Sequence, residues 1–314
     1  EGRSHRLVEL GDCPMLTARL NALLTPLGQG LSQLDCRLIL NQAELLDSDG
    51  AAGVALRFKR APRGDELQSL AGLGADLQVV LSAAWPDPGA AAQYYGRTGA
   101  DDVSPALIRQ TLSGEVRDLY LELPGVRMSC VPESFVQVNA EISAALLDAV
   151  LKAVEPEPGL RVLDLFCGAG FFTLPLAVKG ARVRGVDVVP CALQMARLSA
   201  AAAGLEVEFV PADLSLKGAL AKVCPSDPDV VVLDPGRAGA YEICQALKNL
   251  AGTGAGQASC PSRIVMVSCH PQTCARDLKL LTEGGYRVRS WQVFDMFPGT
   301  THVETLVLLS KEKS

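Results

Sequence analysis

Nine residues constrain this chain more than any other stretch. In Val162-Leu163-Asp164-Leu165-Phe166-Cys167-Gly168-Ala169-Gly170 a run suited to a buried strand enters a glycine turn and then a helical pattern. Glycine accepts backbone conformations closed to other residues, so the main chain can come close to a nucleotide-like ligand at the carboxyl end of a sheet. The residues that follow agree. From Leu160 onward, short β-branched runs alternate with helical patterns, as expected for a parallel sheet covered on both faces. Seven strands are expected, over Arg161 to Phe166, Arg182 to Asp187, Glu206 to Pro211, Val230 to Leu233, Ile264 to Ser268, Tyr286 to Val293 and His302 to Leu309. The intervening helices read from Phe171, Cys191, Leu216, Tyr241 and Gln272. Only Phe294 to Thr301 separate the last two strands, which is too short for a crossover helix, so the final strand should run antiparallel to its neighbour.

A dinucleotide fold is the obvious rival, but Thr173 stands where the third glycine of its GxGxxG signature belongs. Asp187 closes the second strand 17 residues after Gly170. A carboxylate there can accept hydrogen bonds from both hydroxyls of a ribose, although a turn residue is the plainer alternative. Asp213, at the end of the third strand, is placed to meet an adenine.

Upstream, Ile142, Leu146, Leu147, Val150 and Leu151 fall at helical spacing within Asn139 to Val154. Strand-like runs at Arg37 to Leu40, Val54 to Phe58, Leu77 to Leu81 and Leu119 to Leu123 suggest a smaller α+β central lobe. The expected division is therefore 1–33 leading into the lobe, 34–128 the lobe, and 129–314 the catalytic domain. The opening residues have no clear pattern of their own, and neither an internal repeat nor a low-complexity linker is present.

With 48% hydrophobic and 20% charged residues the chain can bury large cores, which argues against disorder. Its most apolar stretch, Leu163 to Val178, carries Asp164, Gly168, Gly170 and Pro175, so it reads as a buried strand and helix and not as a membrane span. No export signal is recognised and a cytoplasmic location is expected. The ten cysteines form no CxxC pair and are expected mostly as reduced, buried thiols. A net charge of −6 opposes nonspecific binding to a phosphate backbone, which any nucleic-acid reading must answer.

Four further segments narrow the chemistry. They are Ser134-Phe135-Val136-Gln137-Val138-Asn139, Leu233-Asp234-Pro235-Gly236-Arg237-Ala238-Gly239, Val267-Ser268-Cys269-His270-Pro271-Gln272-Thr273, and Asp295-Met296-Phe297-Pro298-Gly299-Thr300-Thr301-His302-Val303-Glu304. With the glycine turn, and in this order, they closely resemble the RNA (uracil-5-)methyltransferase family, especially its iron–sulfur members that modify large-subunit ribosomal RNA. The likeness covers the sheet domain and extends more loosely to Leu7 to Leu24, which is similar to the stretch leading into the family's central lobe.

The resemblance implies a Rossmann-like, seven-stranded S-adenosylmethionine-dependent methyltransferase that acts on structured RNA, ribosomal RNA favoured over transfer RNA, as a monomer without membrane attachment. It implies that a thiolate adds to carbon 6 of uracil, making carbon 5 nucleophilic, and that a base later removes the carbon 5 proton. Cys269 is the expected nucleophile, its thiol pKa lowered by the amino terminus of the following helix. Glu304 is the expected base. The cofactor is expected to meet Gln137, Phe166, Gly168, Gly170, Phe171, Asp187, Asp213 and Asp234, with Gln137 and Asp234 shared with the target base. Asp234 as a simple turn cap is the alternative.

Departures from the family are also visible. Phe171 stands where iron–sulfur relatives carry a polar residue that touches the cofactor, and it cannot hydrogen-bond. The amino-terminal RNA-binding barrel is expected to be missing, as are the three cysteines that would join Cys13 around a cluster. No iron–sulfur cluster is expected in this chain, which leaves Cys13 an orphan ligand. A missing barrel would account for the acidic balance, leaving one local basic run at Arg57, Phe58, Lys59, Arg60 and Arg63, either an RNA contact or a solvated strand end. Arg237 and Arg276 could contact phosphates or brace the site by ion pairs. A cytosine-5 RNA methyltransferase, the runner-up, would want a Pro-Cys nucleophile, and Pro190-Cys191 is in the wrong place.

Overall fold

The structure, a computed structural model, describes residues 11–87, 93–94, 103–104, 107–224, 228–252 and 260–311. Leu7 to Leu10, the start of the stretch likened to the approach to the central lobe, lie outside these. The chain forms two compact units. One comprises residues 1–91, 105–120 and 130–136, and the other 92–104, 121–129 and 137–314.

The first unit carries α1 (Ala18–Ser32), β1 (Leu40–Asp47), β2 (Ala52–Phe58), α2 (Gly64–Asp76), β3 (Val80–Pro86) and, after two short pairing segments of the second unit, β4 (Gln93–Tyr94) and β5 (Val103–Ser104), strand β6 (Leu107–Ser113). Its four strands are ordered β1-β2-β3-β6. Strands β2 and β3 are parallel because α2 crosses between them, whereas the outer pairings are antiparallel. Val54, Leu56, Leu70 and Leu81 are essentially sealed from water in its core together with Leu20 and Leu27 of α1. Each such aliphatic side chain contributes about 1.5–3 kcal/mol by its burial.

Two local readings differ from the sequence expectation here. Arg37 to Leu40 was expected as a strand, but Asp35–Leu38 is a 3-10 turn closed by Arg37 N–H to Leu34 and Ile39 N–H to Cys36 carbonyls, and β1 starts at Leu40. Leu77 caps α2 and Gln78 has a left-handed φ of 53°, so the third strand begins only at Val80. Helix α1 escaped the sequence pattern because Pro26, Gly28 and Gly30 interrupt it. A Cβ on Gly30 would stand 2.3 Å from Leu73, so that glycine is where α1 and α2 come close.

Beyond β4 and β5, the second unit carries most of the hairpin formed by β7 (Tyr120–Leu123) and β8 (Val126–Ser129), followed by α3 (Ala140–Val154). Residues 121–128 are expected with the lobe, whereas the structure groups 121–129 with the sheet unit, where the Ser129 N–H donates to Ser199 at 2.8 Å. Helix α3 is capped by Asn139, whose side chain accepts from the Ile142 N–H, and it buries Leu146, Leu147 and Val150 on the face the periodicity indicated.

The rest alternates as expected: β9 (Arg161–Leu165), α4 (Thr173–Val178), β10 (Arg182–Asp187), α5 (Pro190–Ala202), β11 (Glu208–Pro211), α6 (Ala219–Val223), β12 (Val230–Leu233), α7 (Tyr241–Gly252), β13 (Arg263–Ser268), α8 (Pro271–Glu283), β14 (Tyr286–Phe294) and β15 (Glu304–Lys311). The sheet order is β11-β10-β9-β12-β13-β15-β14, with β15 inserted antiparallel between β13 and β14. Apolar clusters cover both faces. One contains Leu165, Leu233, Ile243, Leu247 and Leu281, and the other Leu146, Val150, Val162, Leu176, Val232 and Val265. This is the seven-stranded, doubly covered sheet expected from the sequence.

Candidate active site

The register of the sheet assembles the site. Leu165 pairs with Val186 on one side and Leu233 on the other, and Leu233 pairs with Met266. The residues that follow these strands therefore emerge along one edge, which is where parallel α/β sheets present ligands.

At β9 the chain turns through Phe166 (φ 66°), Gly168 (φ 53°) and Gly170 (φ 96°). A non-glycine residue at positive φ is a strained position, and such strain concentrates at functional turns. The two glycines differ in purpose. A Cβ on Gly170 would lie 3.0 Å from Leu174, so Gly170 allows α4 to pack, whereas a Cβ on Gly168 would meet nothing within 4 Å. Gly168 thus faces open space.

Asp187 fixes this turn from the neighbouring strand. Its carboxylate accepts from the Gly168 N–H at 2.9 Å and from the Val189 N–H at 2.8 Å. Burial raises its pKa, and those backbone donors oppose the rise. Beneath the turn, Asp164 is fully buried and accepts from the Thr173 hydroxyl at 2.5 Å, while its Oδ1 has no hydrogen-bond partner. Burial pushes Asp164 to about 7 against the Thr173 bond, with Asp234 and Asp187 adding like charge. Sequence reading did not assign this pair. The available signal was an acidic residue inside an otherwise apolar strand.

Asp213 lies two residues beyond β11, and its carboxylate accepts from the Ser215 N–H at 2.9 Å and hydroxyl at 2.6 Å. Phe166 packs against one apolar cluster of the sheet and Phe171 against the other, where Phe171 stands edge-on to Phe172 with centroids 5.0 Å apart. Gln137 is half-buried two residues before the cap of α3. Asp234 follows β12, its N–H donating to the Leu165 carbonyl at 3.3 Å, and burial together with the Asp187 charge raises its carboxyl to about 7.

Cys269 follows β13 and Glu304 opens β15. Ser268 pairs with Thr305, so the next residues of the antiparallel ladder, Cys269 and Glu304, adjoin each other. Glu304 is buried and raised to about 7, first by burial and then by Asp234. The expected lowering of the Cys269 pKa is corrected. Half-buried Cys269 is raised, first by burial, then by Glu304 and Asp234, and these outweigh a backbone hydrogen bond and the charge of Arg237.

The two arginines separate. Arg276 is engaged, pairing with the buried Asp277 at 2.7 Å, donating to the Ala238 carbonyl at 2.9 Å and lying over the Tyr241 ring. In the first unit, Arg57 pairs with Glu44 at 3.1 Å and Arg63 with Asp65 at 3.2 Å, so the basic run is partly neutralised. Among the described residues no three His, Cys, Asp or Glu side chains are grouped as a metal ion requires, and no helix is long and apolar enough to cross a membrane.

Comparison with known proteins agrees with this arrangement. Residues 162–233 match the family described as "Methyltransferase domain", and 227–312 match "tRNA (Uracil-5-)-methyltransferase". The 23S rRNA (uracil(1939)-C(5))-methyltransferase RlmD of Shewanella frigidimarina is 36% identical over 98% of this chain and 63% of its own length. That of Alkalilimnicola ehrlichii is 36% identical over 99% of this chain and 65% of its own. The chain thus spans a little under two thirds of these relatives. The Pyrococcus abyssi tRNA (uracil-54, C5)-methyltransferase, solved with S-adenosyl-L-homocysteine, shares the fold with a TM-score of 0.67 at 24% identity, covering 97% of this chain and 70% of that one. The motifs, the seven-stranded sheet and these relatives agree, and the chain is similar over nearly its whole length to RNA (uracil-5-)methyltransferases.

Proposed function

We propose that this chain methylates carbon 5 of a uridine in structured RNA, ribosomal RNA favoured, using S-adenosylmethionine and a covalent adduct of Cys269. The observation that carries this reading is the juxtaposition of Cys269 and Glu304 across the β13–β15 ladder, beside the glycine turn. A thiol and a buried carboxyl that titrates near 7 are the two groups the chemistry needs.

The residues present suit the cofactor. Gly168 leaves open space over a turn held by Asp187, and beyond the effect of burial the Asp187 charge raises the Asp234 pKa and the Asp234 charge that of Glu304, an environment that favours a sulfonium cation. Gln137, Phe166, Gly170 and Asp213 complete the proposed pocket, and Phe171 contributes apolar surface only. When bound, S-adenosylmethionine supplies an electrophilic methyl group and keeps the electron pair of its broken S–C bond.

Cys269 as thiolate forms a C–S bond to carbon 6 of uracil, and the displaced electron pair makes carbon 5 the nucleophile that takes the methyl group. Glu304 as carboxylate then removes the carbon 5 proton. The electrons of that C–H bond restore the C5–C6 double bond, and the Cys269 thiolate leaves. The reading places a monomer in the cytoplasm. It binds no iron–sulfur cluster through Cys13.

Mass-spectrometric mapping of 5-methyluridine in RNA from cells with and without the gene tests this. Loss of the mark at one uridine, restored by the gene, is expected. An unchanged 5-methyluridine map would reject the reading.

A further inference from the structure

The part of the loop between β12 and α7 that follows Gly236 is tied to one helix. Thr273 Oγ1 donates to the Arg237 carbonyl at 3.1 Å, Arg276 Nη2 donates to the Ala238 carbonyl at 2.9 Å, and the Ala240 N–H donates to Asp277 Oδ2 at 2.6 Å. All three partners lie on α8, the helix that begins two residues after Cys269. Gly239 sits at φ 76°, where a Cβ would be 2.4 Å from Asp277 Oδ2 and 2.6 Å from Arg276 Nη2, so another residue would be strained in the backbone and would push those side chains aside. The Asp277 carboxylate is itself buried, which makes the attachment rigid.

This places the backbone of Arg237 in a fixed relation to Cys269 while leaving its side chain exposed. Among the described residues, no hydrogen bond or ion pair engages the Arg237 guanidinium, in contrast to Arg276, whose donors are used in bracing the loop. The charge of Arg237 nevertheless acts on the Cys269 thiol, where it opposes Glu304 and Asp234. An exposed guanidinium on a loop tied to the helix that follows the reacting cysteine is a preorganised anion clamp. Its planar fork matches the geometry of a phosphate better than an ammonium does.

We propose that Arg237 grips a backbone phosphate of the RNA next to the target uridine, fixing that nucleotide over Cys269, while Arg276 and Asp277 hold the clamp in place. The inference rests on the reading that RNA is the substrate. It gives the acidic chain one fixed cationic contact at the place where the nucleotide must be held. Contacts of this kind position a nucleic acid without reading its sequence.

The test is binding of a short uridine-containing RNA hairpin across a salt series, for the unaltered chain, Arg237→Ala and Arg237→Lys, with Cys269 alkylation by iodoacetamide followed against pH in parallel. Arg237→Ala should keep the melting temperature, bind about tenfold more weakly and lose roughly 0.7 to 0.9 from the slope of log affinity against log salt, as expected for one phosphate contact. Arg237→Lys should retain the slope. Unchanged affinity and slope in Arg237→Ala would overturn the proposal, and a shifted alkylation profile alongside them would assign Arg237 to the thiolate instead. No RNA binding by the unaltered chain at any salt would also overturn it. If the expected binding losses appear in a chain that methylates no RNA, the clamp stands and the proposed reaction fails.

Discussion

Glu304 raises the cost of ionising Cys269, adding to burial, because the ladder pair Ser268–Thr305 sets the two side by side at the ends of antiparallel strands. The resting site therefore disfavours the thiolate. Removing the Glu304 charge should relieve this. In Glu304→Gln the pH profile of Cys269 alkylation should move to lower pH, because the carboxylate is the largest charge opposing thiolate formation. An unmoved profile would mean that burial alone governs the thiol.

The same crowding has a consequence for stability. Asp164, Asp234 and Glu304 are each raised to about 7, so between pH 4 and 7 the folded chain binds more protons at these groups than the unfolded chain does. Their contribution to stability is full below the unfolded pKa values and declines as pH rises through the folded ones. Asp234→Asn should consequently stabilise the ligand-free chain at pH 7.5, by about 1–2 kcal/mol, and the gain should shrink at pH 5. Thermal melts at the two pH values check this. A gain larger at pH 5 would contradict it.

The glycines of the turn should separate in mutagenesis. Gly170→Ala meets Leu174 as well as an unfavourable φ, and should lower stability by roughly 1–3 kcal/mol. Gly168→Ala has steric room, so it should cost about 1–2 kcal/mol in backbone strain while sharply weakening S-adenosylmethionine binding. Calorimetric titration beside thermal melts distinguishes them. Equal cofactor affinity for Gly168→Ala and the unaltered chain would remove Gly168 from the pocket.

Much of the sheet was legible because a parallel strand buried on both faces leaves a dense apolar run, as in Val230–Leu233, and the turn that follows needs glycine or aspartate. The antiparallel final strand followed from the short link after Phe294. The first unit was less legible. Its helix α1 is interrupted by Pro26 and two glycines and is held by tertiary packing of Leu20 and Leu27, which local periodicity does not report. The Cys269 pKa was misread for a related reason. A helix terminus is visible in sequence as His-Pro, whereas burial, the larger cause, and the charges of Asp234 and Glu304, 35 residues before and after Cys269, come from the tertiary fold. The lock between Arg276, Asp277 and the Arg237 loop likewise depends on a packing of α8 that no local pattern encodes.

The central claim, a covalent adduct at Cys269 resolved by Glu304, is tested most directly by denaturing gel electrophoresis of reactions with RNA and a labelled methyl donor. Cys269→Ala should abolish methylation with cofactor affinity nearly unchanged, because the thiol acts on the base. Glu304→Gln should still add to uracil and transfer the methyl group but should stall before elimination, leaving labelled RNA joined to protein as a slowly migrating band. The double variant should give no band. A band that persists in Cys269→Ala would contradict the nucleophile assignment, and prompt release of methylated RNA by Glu304→Gln would contradict the assignment of the base.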